Sequence, residues 1–127
     1  MKDYIMIIKQ ENKLIDILNY CESIIADTED IEENIAEDYL DNQEFFIIRQ
    51  NAENIQSIIT KYDIDNNEEL LFDDIEEINE YRIEIYQYAK YILEDYEENN
   101  RNHDLEIINA FNDISEASSV ISDLIKQ

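Results

Sequence analysis

Rows of carboxylate side chains at helical spacing are the residues of this chain that most directly indicate a chemistry. Residues three or four positions apart on a helix lie about 5–6 Å apart, which is comparable with the spacing of phosphates along a nucleic-acid strand. Fixed negative charge at this spacing predicts the binding of a cationic surface. The first set, the 73–84 row, contains Asp73, Glu76, Glu77, Glu80 and Glu84, with Asp74 beside it. The second set, the 27–41 row, contains Asp27, Glu29, Asp30, Glu33, Glu37, Asp38 and Asp41.

Tyrosines accompany the 73–84 row. Tyr86 and Tyr91 follow it within the same predicted helix. Their rings would offer flat surfaces on which arginine stacks, and their hydroxyls would form hydrogen bonds. We therefore include both tyrosines in the predicted partner-binding surface.

The residues that usually perform catalysis or hold metals are scarce. With one cysteine and one histidine, no zinc site of ordinary spacing can form. Cys21 lies among aliphatic residues and is expected to be a buried hydrophobe, while His103 lies in a polar segment. Paired carboxylates catalyse proton transfer only in a dry pocket, and acidic runs of this kind are typical of solvated faces. We expect no enzymatic activity, metal or cofactor.

The overall charge limits the possible partners. The 127 residues include 33 acidic and 9 basic side chains, giving a net charge of −24 that internal ion pairs cannot neutralise. Two explanations remain open, a general role in solubility and selection for a basic partner, and the small number of lysines favours the second. Direct binding of DNA, RNA or an anionic membrane is excluded because each requires clustered lysine and arginine.

The sequence shows no pattern of a membrane span or of a secretory signal peptide. No apolar run approaches the roughly 20 residues that cross a membrane. The first residues lack the pattern of a secretory signal peptide. A single cysteine excludes an internal disulfide and fits a reducing compartment, so we expect a cytoplasmic protein.

The elements that position the carboxylates are predicted to be helices. The chain has no glycine and no proline, so turns that need a positive φ must use Asn or Asp, and hairpins would be difficult to form. Periodicity predicts helices over 3–25, 31–61, from about 67 to 99, and from about 104 onward, with a polar connection at 27–30 and a turn at 62–67. The third carries an apolar stripe formed by Ile78, Tyr81, Ile85, Tyr88 and Ile92.

The predicted fold class is all-α. One domain spanning 1–127 would form a four-helix, mostly antiparallel bundle with long acidic helices two and three. The apolar stripe of the fourth predicted helix contains Leu105, Ile108, Phe111, Ile114, Ile121 and Leu124. Ala117 and Ser118 form a small-residue patch where a neighbouring helix can approach. The length of helices two and three would also allow a homodimer along an exposed seam.

The segment 63–74 resembles the calcium loop of the EF-hand family. Asp63, Asp65, Asn67 and Glu69 occupy the first four ligand positions. Glu68 stands where the family has glycine, and Asp74 stands where it has a bidentate glutamate. These two departures favour an acidic turn between helices over a calcium site.

Most of the chain resembles the HEPN family of helical bundles, the small partners of minimal nucleotidyltransferases. The matching segments are Gln43-x-x-Phe46-x-Ile48-Arg49, Ala52-Glu53-Asn54-Ile55, Phe72-x-x-Ile75 leading to Arg82, and Asp104-Leu105-Glu106-Ile107-Ile108. Gln87 and Ala89 stand where the family's ribonuclease signature has His and Tyr after the arginine. The resemblance therefore implies a bundle without ribonuclease activity.

In charge, size and helicity the chain also resembles phage DNA-mimic inhibitors of the anti-CRISPR and anti-restriction type. This resemblance implies a non-enzymatic inhibitor that occupies the basic nucleic-acid-binding site of a nuclease or other defence effector. The alternative is an immunity or antitoxin protein, or a degenerate HEPN-type subunit, that binds one cognate toxin or nucleotidyltransferase. Competition with nucleic acid and sensitivity to salt separate the two hypotheses.

Overall fold

Four α-helices make up the computed structural model, which describes residues 12–34, 42–98 and 105–126. They are α1 (Lys13–Asn34), α2 (Asn42–Ile59), α3 (Phe72–Glu98) and α4 (Leu105–Lys126). These ranges contain no strand, so the predicted all-α class is confirmed. None of the four helices is both long enough and apolar enough to cross a membrane.

The helices pack in a closed ring. α1 contacts α2, α2 contacts α3, α3 contacts α4, and α4 returns to α1. Among the described residues, the diagonal pairs α1–α3 and α2–α4 make no contact. Each helix therefore buries one side against two neighbours and turns the other side to solvent, which is the arrangement of a four-helix bundle.

Isoleucine dominates the core, and every helix contributes to it. The predicted stripe of α3 is buried at Ile78, Ile85 and Ile92, while Tyr81 and Tyr88 lie half-buried on its flank. Ala89 and Tyr96 complete the buried side of α3. The other fully or almost fully buried positions include Leu14, Ile17, Cys21, Ile24, Ile48, Ala52, Ile55, Ile59, Phe111, Ile114 and Ile121.

Several predicted boundaries and inward positions were wrong. The polar connection at 27–30 is helical, because α1 continues to Asn34. The second helix was predicted to span 31–61, but residues 31–34 belong to α1 and α2 runs from Asn42 to Ile59 within the described residues. Ile15 and Leu105 were expected to face inward and are 41% and 63% exposed. The predicted helical segment 3–11 lies outside the described residues.

The turn predicted at 62–67 is present and closes without glycine. Glu68 N donates to Asp63 O at 3.1 Å and Asn67 N donates to Ile64 O at 3.0 Å. These two bonds form a Schellman motif, whose left-handed position is usually glycine. Here Asn67 occupies that position with φ of 48°, which confirms that asparagine supplies the positive φ in this chain.

The same turn caps the start of α1. Asn67 Oδ1 accepts a hydrogen bond from Leu14 N at 3.4 Å, and Asn12 Nδ2 donates to Ile64 O at 2.6 Å. Asn12 Oδ1 also accepts from Ile15 N at 3.1 Å, so Asn12 is the N-cap of α1. Two asparagines thus satisfy backbone donors at the first turn of α1 and join it to the turn before α3.

Tyr62 fixes the start of α3. Its hydroxyl accepts a hydrogen bond from Leu71 N at 2.9 Å and donates one to the Asp74 carboxylate. Burial and the bonded Asp74 carboxylate raise the pKa of this hydroxyl. The structure places Tyr62 at the start of the turn predicted at 62–67.

We expect Tyr62→Phe to lower the free energy of unfolding by about 1 kcal/mol, because it leaves Leu71 N and the Asp74 carboxylate without this hydroxyl. Urea denaturation measures the change. Tyr20→Phe is the matched control, since Tyr20 is 37% exposed on α1, and it should leave the unfolding midpoint unchanged. Equal effects of the two substitutions would contradict the assignment.

Candidate functional site

The outward side of α3 carries the 73–84 row. Burial of Ile78, Ile85 and Ile92 fixes the rotation of the helix, and the residues on the opposite side must then face solvent. All five carboxylates of the row are exposed, namely Asp73, Glu76, Glu77, Glu80 and Glu84. The predicted row is therefore continuous along almost the first half of α3.

Within the described ranges, no basic side chain pairs with this row. Among the described residues, Asp73, Glu76, Glu80 and Glu84 form no ion pair. Glu77 Oε1 accepts a hydrogen bond from the Tyr81 hydroxyl at 3.3 Å. Burial raises the pKa of that hydroxyl, and the neighbouring Glu77, Glu80 and Glu84 carboxylates raise it further. The negative field of the row thus acts on its own neighbours.

Two predicted site residues lie away from the row. Asp74 is half-buried and accepts the hydrogen bond from Tyr62, so its carboxylate belongs to the turn. At about 100° per residue, Tyr86 falls on the flank of α3 opposite the Tyr81 side. Lys90 Nζ lies over the Tyr86 ring, 5.5 Å from the ring centroid. A cation from the chain itself therefore already stacks on Tyr86.

Tyr91 remains available, and it lies beside a groove. Its side chain is 59% exposed. The open groove, of about 620 Å³, is lined by Glu80, Ile83, Glu84, Gln87, Tyr88 and Tyr91. Sequence reasoning named Glu80, Glu84 and Tyr91 but missed the other three as site residues. The sequence did contain a signal for the groove, because Ile83 and Gln87 interrupt the carboxylates on an otherwise acidic helix face.

The described part of the 27–41 row lies away from this surface. Glu33 is exposed near the end of α1, while Glu37, Asp38 and Asp41 lie outside the described residues. Because α1 and α3 are diagonal in the ring and make no contact within the described ranges, the described part of this row faces away from the 73–84 row. The described residues of the 27–41 row and the 73–84 row therefore form separate surfaces.

The surface of α3 is defined by its exposed carboxylates and its groove. No family model, curated protein or solved structure matches the chain. Function must therefore be argued from the chemistry of particular sites.

Arg49 illustrates how this chain binds a guanidinium group. Its Nη2 lies 2.7 Å from Glu32 Oε2, and its Nε donates to Thr28 Oγ1 at 3.1 Å. The guanidinium carbon is 5.6 Å from the centroid of the Phe46 ring. A carboxylate and an aromatic ring thus hold one arginine between α1 and α2. Sequence analysis did not predict this site.

Arg82, where the HEPN resemblance places the family's arginine, has a local structural role. Its Nε donates to Asn79 Oδ1 at 3.0 Å, and its carbonyl oxygen accepts from Ser118 Oγ at 2.6 Å. Ser118 and Ala117 are buried, so α4 contacts α3 closely at the predicted small-residue patch. Gln87, one turn further along α3, lines the groove.

The EF-hand-like segment uses its own carboxylates to form the turn. Asp63 Oδ2 accepts from Asn66 Nδ2 at 2.7 Å, and Glu68 Oε1 accepts from Asp63 N at 2.8 Å. Within the three described ranges, no group of three or more His, Cys, Asp or Glu side chains is placed to hold a metal ion. The geometry supports the interpretation of this segment as an acidic turn.

Asp27 is a partly buried carboxyl group close to two other carboxylates. It lies half-buried on α1, where burial, then Asp113 of α4, then Asp30 raise its pKa from 3.8 to about 6. The folded state therefore binds a proton that the unfolded chain releases between these two pH values. The contribution of Asp27 to stability is greatest below its unfolded pKa and is lost as the pH rises through about 6.

We expect Asp27→Asn to raise the free energy of unfolding by about 1 kcal/mol at neutral pH, a value reduced for partial exposure of the carboxyl. Near pH 3 the gain should almost vanish, because Asp27 is then mostly protonated in both states. Urea denaturation at the two pH values measures the difference. Glu29→Gln, at an exposed position on the same helix, is the control. A gain that does not change with pH would contradict the assignment.

Cys21 has no accessible chemistry. It is fully buried in the core. Burial, with a smaller contribution from Glu22, raises the pKa of its thiol to about 12. The thiol is therefore protonated at neutral pH, consistent with its predicted role as a buried hydrophobe.

Proposed function

We propose that this protein is a cytoplasmic, non-enzymatic inhibitor that occupies the basic nucleic-acid-binding site of a partner protein, such as a nuclease or another defence effector. One observation carries the proposal. The 73–84 row presents exposed carboxylates at helical spacing, and four of them have no ion-pair partner among the described residues.

The proposed mechanism is electrostatic imitation of a nucleic-acid strand. Successive carboxylates about 5–6 Å apart would contact the Lys and Arg side chains that normally contact phosphates. A net charge of −24 would also steer a basic partner toward the chain. Association should therefore be fast and should weaken steeply as salt is added.

A mostly antiparallel bundle belongs to the same proposal. Between α1 and α2, Gln56 donates a hydrogen bond to Glu22 and Arg49 donates one to Glu32. Residue numbers therefore increase along α1 in the direction in which they decrease along α2. In this arrangement α3 is a long acidic helix at one corner of the bundle.

The test is an affinity pull-down from host lysate, washed at low and then at high salt, followed by a competition assay with the recovered protein. The proposal expects a nucleic-acid-binding protein that salt elutes and that DNA or RNA displaces. If the recovered partner binds the chain and a nucleic acid at the same time, the proposal is wrong.

A second candidate function is an immunity or antitoxin protein, or a degenerate HEPN-type subunit, bound to one cognate partner. Leu71 and Phe72, 67% and 70% exposed beside the 73–84 row, favour it. Adjacent exposed apolar side chains can form the dry centre of a tight interface. This candidate expects a single partner that stays bound at high salt, with Leu71→Ser and Phe72→Ser releasing it.

A further inference from the structure

The groove on the outward side of α3 combines two kinds of lining. Glu80 and Glu84 supply carboxylates, and Ile83, Tyr88 and Tyr91 supply apolar and aromatic surface. On the helix, Gln87 and Tyr88 lie three or four positions from Glu84 on one side and from Tyr91 on the other, so Glu84 and Tyr91 are about 10 Å apart on one face of α3. At about 620 Å³, the groove is larger than one side chain needs.

The Arg49 site shows what such a combination binds. There, Glu32 and the Phe46 ring together hold a guanidinium group. The α3 groove offers the same two groups in Glu84 and the exposed Tyr91. Among the described residues, no cation of the chain stacks on Tyr91 or pairs with Glu84.

We propose that the α3 groove, lined by Glu80, Ile83, Glu84, Gln87, Tyr88 and Tyr91, binds an arginine side chain of the partner protein. The inference rests on the proposed function and names the chemistry of its contact. Charge complementarity selects a cation, because the groove lies at the end of the unpaired 73–84 row. The aromatic lining selects arginine over lysine, since a guanidinium is planar, weakly hydrated and able to stack while it binds a carboxylate.

Tyr91 is the specificity-determining residue in this proposal. A lysine ammonium would still be attracted by Glu80 and Glu84, but it would gain little from the ring because it is strongly hydrated. Removing the Tyr91 ring should therefore weaken arginine binding and leave lysine binding almost unchanged.

The test uses the full chain with fluorescein-labelled nona-arginine and nona-lysine as probes, titrated by fluorescence anisotropy. We expect Tyr91→Ser to weaken nona-arginine binding about fivefold and nona-lysine binding less than about twofold. Tyr91→Phe keeps the ring and should retain the arginine preference. Tyr20→Ser, at an exposed tyrosine of α1, is the matched control and should change neither affinity.

Two results would overturn the inference. In the first, Tyr91→Ser weakens both peptides equally, so that the ring does not distinguish them. In the second, Tyr20→Ser has the same effect as Tyr91→Ser, which would show that arginine binding is not specific to the α3 groove. Either result leaves the proposed function standing if the partner still competes with nucleic acid. Failure of that competition, with the Tyr91 effect intact, would reject the proposed function alone.

Discussion

Neutralising four carboxylates of the 73–84 row is expected to weaken binding of the partner about 100-fold while the helices remain folded. The variant carries Asp73→Asn, Glu76→Gln, Glu77→Gln and Glu80→Gln. Each replaced group loses its attraction to a basic side chain, and about 0.7 kcal/mol per group gives this factor over four groups. Titration calorimetry at low salt measures the loss, and circular dichroism verifies the helix content.

The control for this variant removes the same number of charges elsewhere. Glu53→Gln, Glu106→Gln, Glu116→Gln and Asp123→Asn replace exposed carboxylates on α2 and α4. This second variant should bind within about threefold of the original chain, because general charge contributes less than charge at the contact. If both variants lose the same affinity, the row on α3 is not the binding surface.

Phe111→Ala is expected to lower the free energy of unfolding by about 3–5 kcal/mol. The Phe111 ring is fully buried in the core. Its removal forfeits the transfer energy of the ring and leaves a cavity that the neighbouring side chains fill only partly. A loss of this size is a large fraction of the stability of a domain this small. Urea denaturation at neutral pH measures it.

Phe72→Ala provides the comparison for the core substitution. It makes the same chemical change at a position that is 70% exposed. The expected loss is within about 0.5 kcal/mol, as for surface substitutions away from structural contacts. Similar losses at the two positions would mean that α4 does not contribute its predicted apolar stripe to the core.

Local chemistry explains why some features could be predicted from the sequence. The absence of glycine and proline led to the all-α class and to asparagine at the positive φ. The buried stripe at Ile78, Ile85 and Ile92 followed from helical periodicity, as did the exposure of the 73–84 row opposite it. These features depend on residues close together in the sequence.

Contacts between distant residues explain why other features were missed. The residues 27–30 look like a polar connection, yet Thr28 is buried and bonds both the Ile25 carbonyl and Arg49, which lies 21 positions away. That long-range bond helps α1 continue where the local signal indicates an end. The groove and the stacking of Lys90 on Tyr86 likewise depend on side-chain positions that the spacing of residues does not determine.

Asn67 constrains how this sequence can evolve. Its backbone needs a residue that tolerates the left-handed region, and its side chain supplies an acceptor to Leu14 N across the molecule. Glycine meets only the first requirement and serine meets only the second. A saturation library at this codon should therefore retain asparagine ahead of both, with aspartate the nearest substitute because it keeps the acceptor and tolerates the backbone. The turn between α2 and α3 is thus expected to tolerate fewer substitutions than the exposed acidic positions outside the 73–84 row.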